Sequence, residues 1–382
     1  MSVKFIHFSD SHLGASDSIT ITHSAREQRE KDKYTALKLI VDRIIKEKPD
    51  FVIHTGDFFH RASPGNAPLV SAIEQLGRLN TAKIPLYMIA GNHDFPKVTT
   101  QQPIHQIFKH LKNIKIFFDE AYSVVDLGNC TLHALPHINS KETFNKELEK
   151  ITTEGRKSPN ILMMHLSMPI AASEEIELGG GVFPAEKLEL LGKFDYVALG
   201  HWHKFLHLKQ YGNVFYSGAP DKMNLSEINH TKGFISVEIE DSGKVNAQFV
   251  PLNTREIIEI TITDCDKKNE GYILKEISDA LKEHEIKDSV IVINLKDLSK
   301  ASYYATRVEE IEKITAGCLD LRLTRATRAD EFFDDDGEVK PIDSLFEDLR
   351  RAFSDDELYL RFFDLTNKLL EEIETERAQN VD

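Results

Sequence analysis

The sequence predicts an α/β fold with a small α/β cap domain behind it and a helical C-terminal extension. Three observations lead there. Through the first half, short apolar runs alternate with helical patterns. A second strand-and-helix alternation starts near Thr254. From residue 329 onward, apolar residues recur at helical spacing inside a strongly acidic stretch.

Taken in order, apolar runs at 3–8, 51–54, 86–89, 161–164 and 196–199 read as strands, most of them closed by Gly, Asp or His. Residues 33–46 put Leu37, Ile40, Val41, Ile44 and Ile45 on one helical face before Lys48-Pro49 ends the pattern. Loops at strand C-terminal ends commonly carry ligands in such sheets. Leu69, Ile73 and Leu76 share a second helical face, and Ile104, Phe108 and Leu111 a third; such stripes are ordinarily core. Residues 213–218, 233–240 and 245–250 read as strands and turns.

In the cap, 257–262, 290–295 and 319–323 read as strands, and 272–284 and 307–314 as helices. An acidic run at 330–337 reads as a solvated linker. Ser354-Asp-Asp-Glu357 then forms a capping box ahead of Leu358, Phe362, Leu365, Leu369 and Ile373, and a preceding helix carries Leu345, Phe346, Leu349 and Phe353. Those helices either fold back on the cap or dock on a partner. The expected division is 1–253, 254–328 and 329–382.

Of 382 residues, 41% are hydrophobic and 29% charged, which suits a soluble chain with a sizeable core. No apolar run approaches the roughly 20 residues that span a bilayer, so no membrane association is expected. The opening Met1-Ser2-Val3-Lys4 runs straight into a strand without the apolar stretch of a signal peptide. Cys130, Cys265 and Cys318 are odd in number and far apart, which suggests neither a disulfide framework nor a Cys-held zinc. A cytoplasmic protein is expected. The net charge of −15 is uneven: residues 1–253 carry 28 Lys+Arg against 29 Asp+Glu, whereas 329–382 carry 6 against 18. The acidic tail therefore does not exclude nucleic acid as a partner of the rest.

Five short clusters sit at the strand ends: Asp10-Ser11-His12, Gly56-Asp57, Gly91-Asn92-His93-Asp94, His165 and Gly200-His201-Trp202-His203. Each alone is weak, and a lone His such as His165 is more often structural than a ligand. In order, each closing an apolar strand, they form a donor set of carboxylate, amide and imidazole. That mixture suits Mn(II), Fe(II) or Zn(II) better than Mg(II) or Ca(II), which prefer oxygen shells. Two cations sharing a carboxylate supply a nucleophile from water at neutral pH.

These clusters resemble the motifs of the calcineurin-like metallophosphoesterases across residues 5–203. Ile6-His7-Phe8-Ser9-Asp10-Ser11-His12-Leu13-Gly14, Gly56-Asp57-Phe58-Phe59-His60 and Ala198-Leu199-Gly200-His201-Trp202-His203 are similar to the SbcD/Mre-eleven DNA repair nucleases within that superfamily. The resemblance implies a sandwich of two mixed sheets flanked by helices. It also implies a two-manganese DNA exonuclease and endonuclease that acts with an SbcC/Rad-fifty-type ATPase in double-strand-break repair. By position in the motifs, Asp10, His12 and His203 are expected at the first metal and Asn92, His165 and His201 at the second, with Asp57 bridging. His93 is expected to protonate the leaving oxygen or stabilise the transition state, and His60 to help place the scissile phosphate. The resemblance further implies a homodimer through the helices of 69–76 and 104–111, and ATPase docking on the C-terminal helices.

Plainer readings stand beside these. His7 and His54 read as hydrogen-bonded core histidines, while His133 and His137 flank a strand end that could approach the site. Gly179-Gly180-Gly181 lacks a following Gly-Lys-Ser/Thr and reads as a flexible loop. Trp202 either shapes its loop or stacks on a splayed base. Asp94 either orients His93 or packs within its loop. The rival functions are a small-substrate phosphatase or cyclic-nucleotide phosphodiesterase, and a non-catalytic scaffold, which would be expected to have lost ligands.

Overall fold

The computed structural model describes residues 2–16, 18–96, 102–169, 181–299, 302–303 and 306–327. The chain runs β1 (Val3–Phe8), α1 (His23–Glu47), β2 (Phe51–His54), α2 (Asn66–Thr81), β3 (Leu86–Ile89), β4 (Ile114–Phe117), β5 (Ser123–Asp126), β6 (Thr131–Leu135), α3 (Lys141–Glu149) and β7 (Asn160–His165). It continues through β8 (Tyr196–Gly200), β9 (Leu206–His207), β10 (Val214–Tyr216), β11 (Gly233–Ile239) and β12 (Val245–Pro251). Two six-stranded sheets result, in the orders β12-β11-β1-β2-β3-β4 and β5-β6-β7-β8-β10-β9. Both are mixed: β1 to β4 run parallel beside antiparallel β11, and β6, β7, β8 and β10 run parallel between antiparallel β5 and β9.

Strand periodicity explains the layering. Phe5, Phe51, Ile53, Ile161, Met163, Tyr196 and Ala198 fill the space between the sheets. Their neighbours Ile6, Phe8 and Val52 turn outward to meet Leu37, Ile40, Val41, Ile44, Leu76 and Leu79 of α1 and α2. Leu162, Met164, Val197 and Leu199 turn to the opposite side and pack on Leu148, Leu191 and Phe194. Alternate residues of one strand thus serve two cores. Strands covered on both faces read as unbroken apolar runs, which is why they were legible.

α1 starts at His23, well before residue 33. Its first turns present Arg29 and Lys33 inward, fully buried. Arg29 pairs with Asp32 and Asp221, each at 2.8 Å, and donates to the Lys222 carbonyl at 2.9 Å. A helix whose inward face is cationic gives no apolar period. Strands β4 and β5 give no comparable sequence signal, and of β6 only the end flanked by His133 and His137 is marked. On α2, Leu76 and Leu79 enter the core while Val70 and Ile73 are 64% and 51% exposed. Ile104–Phe108 forms a short 3-10 helix whose Phe108 is core.

Beyond Thr254 come β13 (Ile257–Ile262), α4 (Glu270–Leu281), β14 (Val290–Leu298), α5 (Val308–Ile314) and β15 (Asp320–Thr327), with the strands forming a three-stranded sheet in the order β13-β14-β15. Two compact units can be distinguished: residues 1–260 with 279–293 and 312–322, and residues 261–278 with 294–311 and the described residues from 323. The acidic linker at 330–337, the helices expected over 345–373, and Gly179 and Gly180 lie outside the described residues. No helix among the described residues is long and apolar enough to cross a membrane.

Candidate metal centre

Strands from both sheets end at one rim. Asp10 and His12 follow β1, Asp57 follows β2, Asn92 follows β3, His165 closes β7, and His201 and His203 follow β8. The loops after β1 and β2 are laced together: Asp10 N–H donates to the Gly56 carbonyl and His12 N–H to that of Asp57, each at 3.0 Å. The Asp10 carboxylate accepts the His201 N–H at 3.1 Å, joining the two sheets. Four of the site residues have left-handed backbone, with φ of 53° at Asp10, 43° at His12, 55° at Asp57 and 98° at His201. Such conformations cost on the order of 1–3 kcal/mol each and persist only where surroundings enforce them.

Two glycines make room for the rim. A Cβ on Gly91 would lie 2.0 Å from Asp57 Oδ1, and one on Gly200 would lie 2.1 Å from the Thr55 carbonyl oxygen. Gly91→Ala is therefore expected to displace Asp57, lowering stability by about 1–3 kcal/mol and releasing bound metal. Thermal melting and metal analysis check this; unchanged metal content would show that the loop absorbs the methyl group.

The donor atoms converge in two groups. His12 Nε2 and His203 Nε2 are 3.1 Å apart, and with an Asp10 oxygen they lie within 4.8 Å of one another. Asn92 Oδ1 lies 3.0 Å from His165 Nε2 and 3.2 Å from His201 Nδ1. Asp57 Oδ2 reaches both, at 3.2 Å from His165 Nε2 and 3.6 Å from His12 Nε2. The tautomers favour ligation. His165 Nδ1–H donates to the Thr55 carbonyl at 2.7 Å and His203 Nδ1–H to Glu227 Oε1 at 2.9 Å, so each presents an Nε2 lone pair to the rim. Lone pairs directed at one another this closely repel unless a proton or a cation lies between them. The residues fit a pair of transition-metal ions.

Without cations, protons are shared out unevenly. Burial pushes Asp10 up to about 6, against the opposing pull of His165 and His203. Burial disfavours a charged His165, but Asp57 overrides it and lifts His165 to about 9. Burial, reinforced by His165, lowers His201 to about 3. Metal binding displaces such protons.

His93 and His60 stand over the rim. Their rings stack at 5.0 Å, and both lie edge-on to His12. His93 Nδ1 is 3.2 Å from the His60 carbonyl oxygen, while His93 N–H donates to Asp57 Oδ1 at 2.9 Å. Asp94 does not touch the His93 ring. It knits the loop, accepting from Phe58 N–H at 2.7 Å and Gly91 N–H at 2.8 Å and facing His105 Nε2 at 3.2 Å.

All nine residues singled out by the motifs therefore meet at this rim. His7 and His54 sit in the core on Tyr196, Thr55 and Ser11. His133 bonds to Tyr122 and Asn160. His137 lines a cavity of about 570 Å³ that also reaches His165. Trp202 donates to Ser167 Oγ at 3.2 Å and packs in the outer core, as a loop-shaping residue would. The motifs gave no signal for Thr55, Glu227 or Lys232, which hold His165 and His203 from behind.

Comparison with known proteins matches residues 3–205 to the calcineurin-like phosphoesterases. The chain is 29% identical over 280 residues to the DNA double-strand break repair protein Mre11 of Sulfurisphaera tokodaii, covering 72% of this chain and 69% of that protein. The protein of the same name from Saccharolobus solfataricus is 34% identical over 241 residues, 61% of this chain and 58% of that one. Its counterpart in Sulfolobus acidocaldarius is 29% identical over 309 residues, 77% and 74% of the two chains.

Proposed function

Because the chain belongs to the calcineurin-like phosphoesterase family, we propose that it is a manganese-dependent DNA nuclease. It cuts as exonuclease and endonuclease at DNA ends in double-strand-break repair, with an SbcC/Rad-fifty-type coiled-coil ATPase. The observation that carries the reading is Asp57 Oδ2, one carboxylate oxygen within 3.2 Å and 3.6 Å of a donor from each group. The relatives named as double-strand break repair proteins supply the substrate class. In this reading Asp10, His12 and His203 hold the first cation, Asn92, His165 and His201 the second, and Asp57 both. When bound, the cations supply a nucleophile from water at neutral pH and neutralise charge on the phosphoryl oxygens.

The chain's own residues do the rest. His93, anchored through Nδ1–H on the His60 carbonyl, would as imidazolium carry a second proton on Nε2 and give it to the leaving oxygen, ending as the neutral ring. His60 is held down to about 4 by burial and then by His93, so it is neutral at pH 7 and offers the scissile phosphate a hydrogen bond. Residues 1–253 form the nuclease domain, 254–328 the cap and 329–382 the acidic linker and partner-binding helices, in a cytoplasmic or nucleoid-associated protein. Linear duplex DNA and mononucleotides, each incubated with the enzyme in Mn(II), test the reading. Degradation of DNA with nucleotides untouched is expected; the reverse preference would make the protein a small-substrate phosphatase.

Two predictions extend it. The exposed Val70 and Ile73 of α2, with Leu69 and Ile104, form an isologous homodimer contact. Ile73→Glu is expected to give folded monomers, and light scattering that finds the unaltered protein monomeric at micromolar concentration would remove this contact. Deleting residues 341–382 is expected to abolish co-purification of the ATPase while manganese nuclease activity on short substrates stays nearly intact. A large fall in thermal stability of the truncated chain would instead mean that those helices fold back.

A further inference from the structure

Glu227 and Lys232 belong to no motif, yet they are 3% and 2% exposed directly behind the rim. The Glu227 carboxylate is fully engaged. Oε1 accepts His203 Nδ1–H at 2.9 Å, and Oε2 accepts Lys232 Nζ at 2.5 Å and Met223 N–H at 3.2 Å. Lys232 Nζ also donates to the His203 carbonyl at 2.8 Å, so it grips both the ligand's backbone and the group that orients its ring. The other Nδ1-anchored ligand, His165, rests on a neutral backbone oxygen, that of Thr55.

We propose that Glu227 and Lys232 are positioning residues that hold His203 in the ligating tautomer and make the first cation site tighter than the second. The inference rests on the ligand assignment proposed above. A carboxylate behind a ligating imidazole fixes its tautomer and raises its basicity, which a backbone carbonyl does only in part. The buried carboxylate in turn needs a countercharge, and Lys232 provides it.

The partners of Oε2 make the consequence specific. In Glu227→Gln a single acceptor oxygen must serve Lys232 and Met223, which both donate. The amide NH₂ then faces His203, whose Nδ1 becomes the acceptor. The ring proton moves to Nε2, the atom that faces His12 Nε2 at 3.1 Å and the cation position. Removing the lysine leaves only the longer Met223 N–H bond, at 3.2 Å, to hold the oxygen on that side, so a fraction of the glutamine turns over and presents its oxygen to His203.

Manganese titrations of the full chain, followed by calorimetry and by the electron paramagnetic resonance of free Mn(II), test this. The unaltered protein is expected to bind two ions, one more tightly. In Glu227→Gln the tighter phase is expected to weaken by roughly 10–100-fold with the weaker phase unchanged. In Glu227→Gln/Lys232→Met part of that loss is expected to return. Circular dichroism and melting of the metal-free variants establish that they are folded. A tighter phase unmoved by Glu227→Gln, or both phases falling together, overturns the proposal. Failure of the double variant to recover overturns the role of Lys232. Fewer than two ions on the unaltered protein would instead sink the dinuclear reading beneath it.

Discussion

Asp57→Ala is expected to empty both cation positions, whereas Asn92→Ala is expected to empty mainly one. One oxygen of Asp57 faces donors from both groups, with Oδ2 at 3.2 Å from His165 Nε2 and 3.6 Å from His12 Nε2. Its other oxygen accepts the His93 N–H at 2.9 Å, so the loop carrying Asn92 and His93 is tethered to the same carboxylate. Phosphodiester cleavage should fall by at least ~10³-fold, since losing a single group that stabilises transition-state charge already costs 10²–10³. A second readout is independent of turnover. A ligand that binds only the folded state stabilises it by about 2.7 kcal/mol at a hundred times its dissociation constant. Manganese should therefore raise the melting temperature of the unaltered protein and leave that of Asp57→Ala unmoved. Two ions retained in the variant would remove the bridging role.

His93→Ser is expected to keep both metals and the affinity for DNA while cleavage drops by about 10²–10⁴-fold, the usual contribution of a positioned proton donor. The metals stay because the contact that holds the loop is made by the backbone N–H of residue 93 to Asp57, which serine preserves. The side chain is exposed and packs on His60 and His12 rather than on Asn92, His165 or His201. The defect should shrink on a nitrophenyl phosphodiester, whose leaving group departs without protonation. Equal loss on both substrates, metals present, would assign His93 to placing the phosphate or stabilising its charge. Loss of metal would make it structural and end the acid role.

The sheets and the polar clusters at their rim are legible for one physical reason. Strands buried on both faces are continuous apolar runs, and a polar cluster closing such a run must face either solvent or a site. Polar structure satisfied from a distance leaves no such pattern. The start of α1 is hidden because Arg29 and Lys33 take the inward positions and are paid back by Asp221, far along the chain. Strand β6 contains His133, which looks like an interruption until Tyr122 and Asn160 are seen to satisfy it. Glu227 and Lys232 sit in an unremarkable acidic-and-basic stretch, and only the packing of the turn ahead of β11 brings them to His203. Asp94 stood next to a catalytic candidate in sequence, but its hydrogen bonds run to the loop backbone and His105 rather than to that neighbour.

The bond from His201 N–H to the Asp10 carboxylate spans 191 residues of sequence, and this dictates when the centre can exist during synthesis. Contacts of such separation form late, because the intervening chain must be ordered first. At translation speeds of 5–20 residues per second, roughly 10–40 s pass between the appearance of Asp10 and that of His201. Throughout that interval no emerging segment holds a complete donor set, and no proteolytic fragment ending before β8 has one either. With the ligands proposed above, hydrolysis therefore requires β8 to have joined the strands that precede it in the chain.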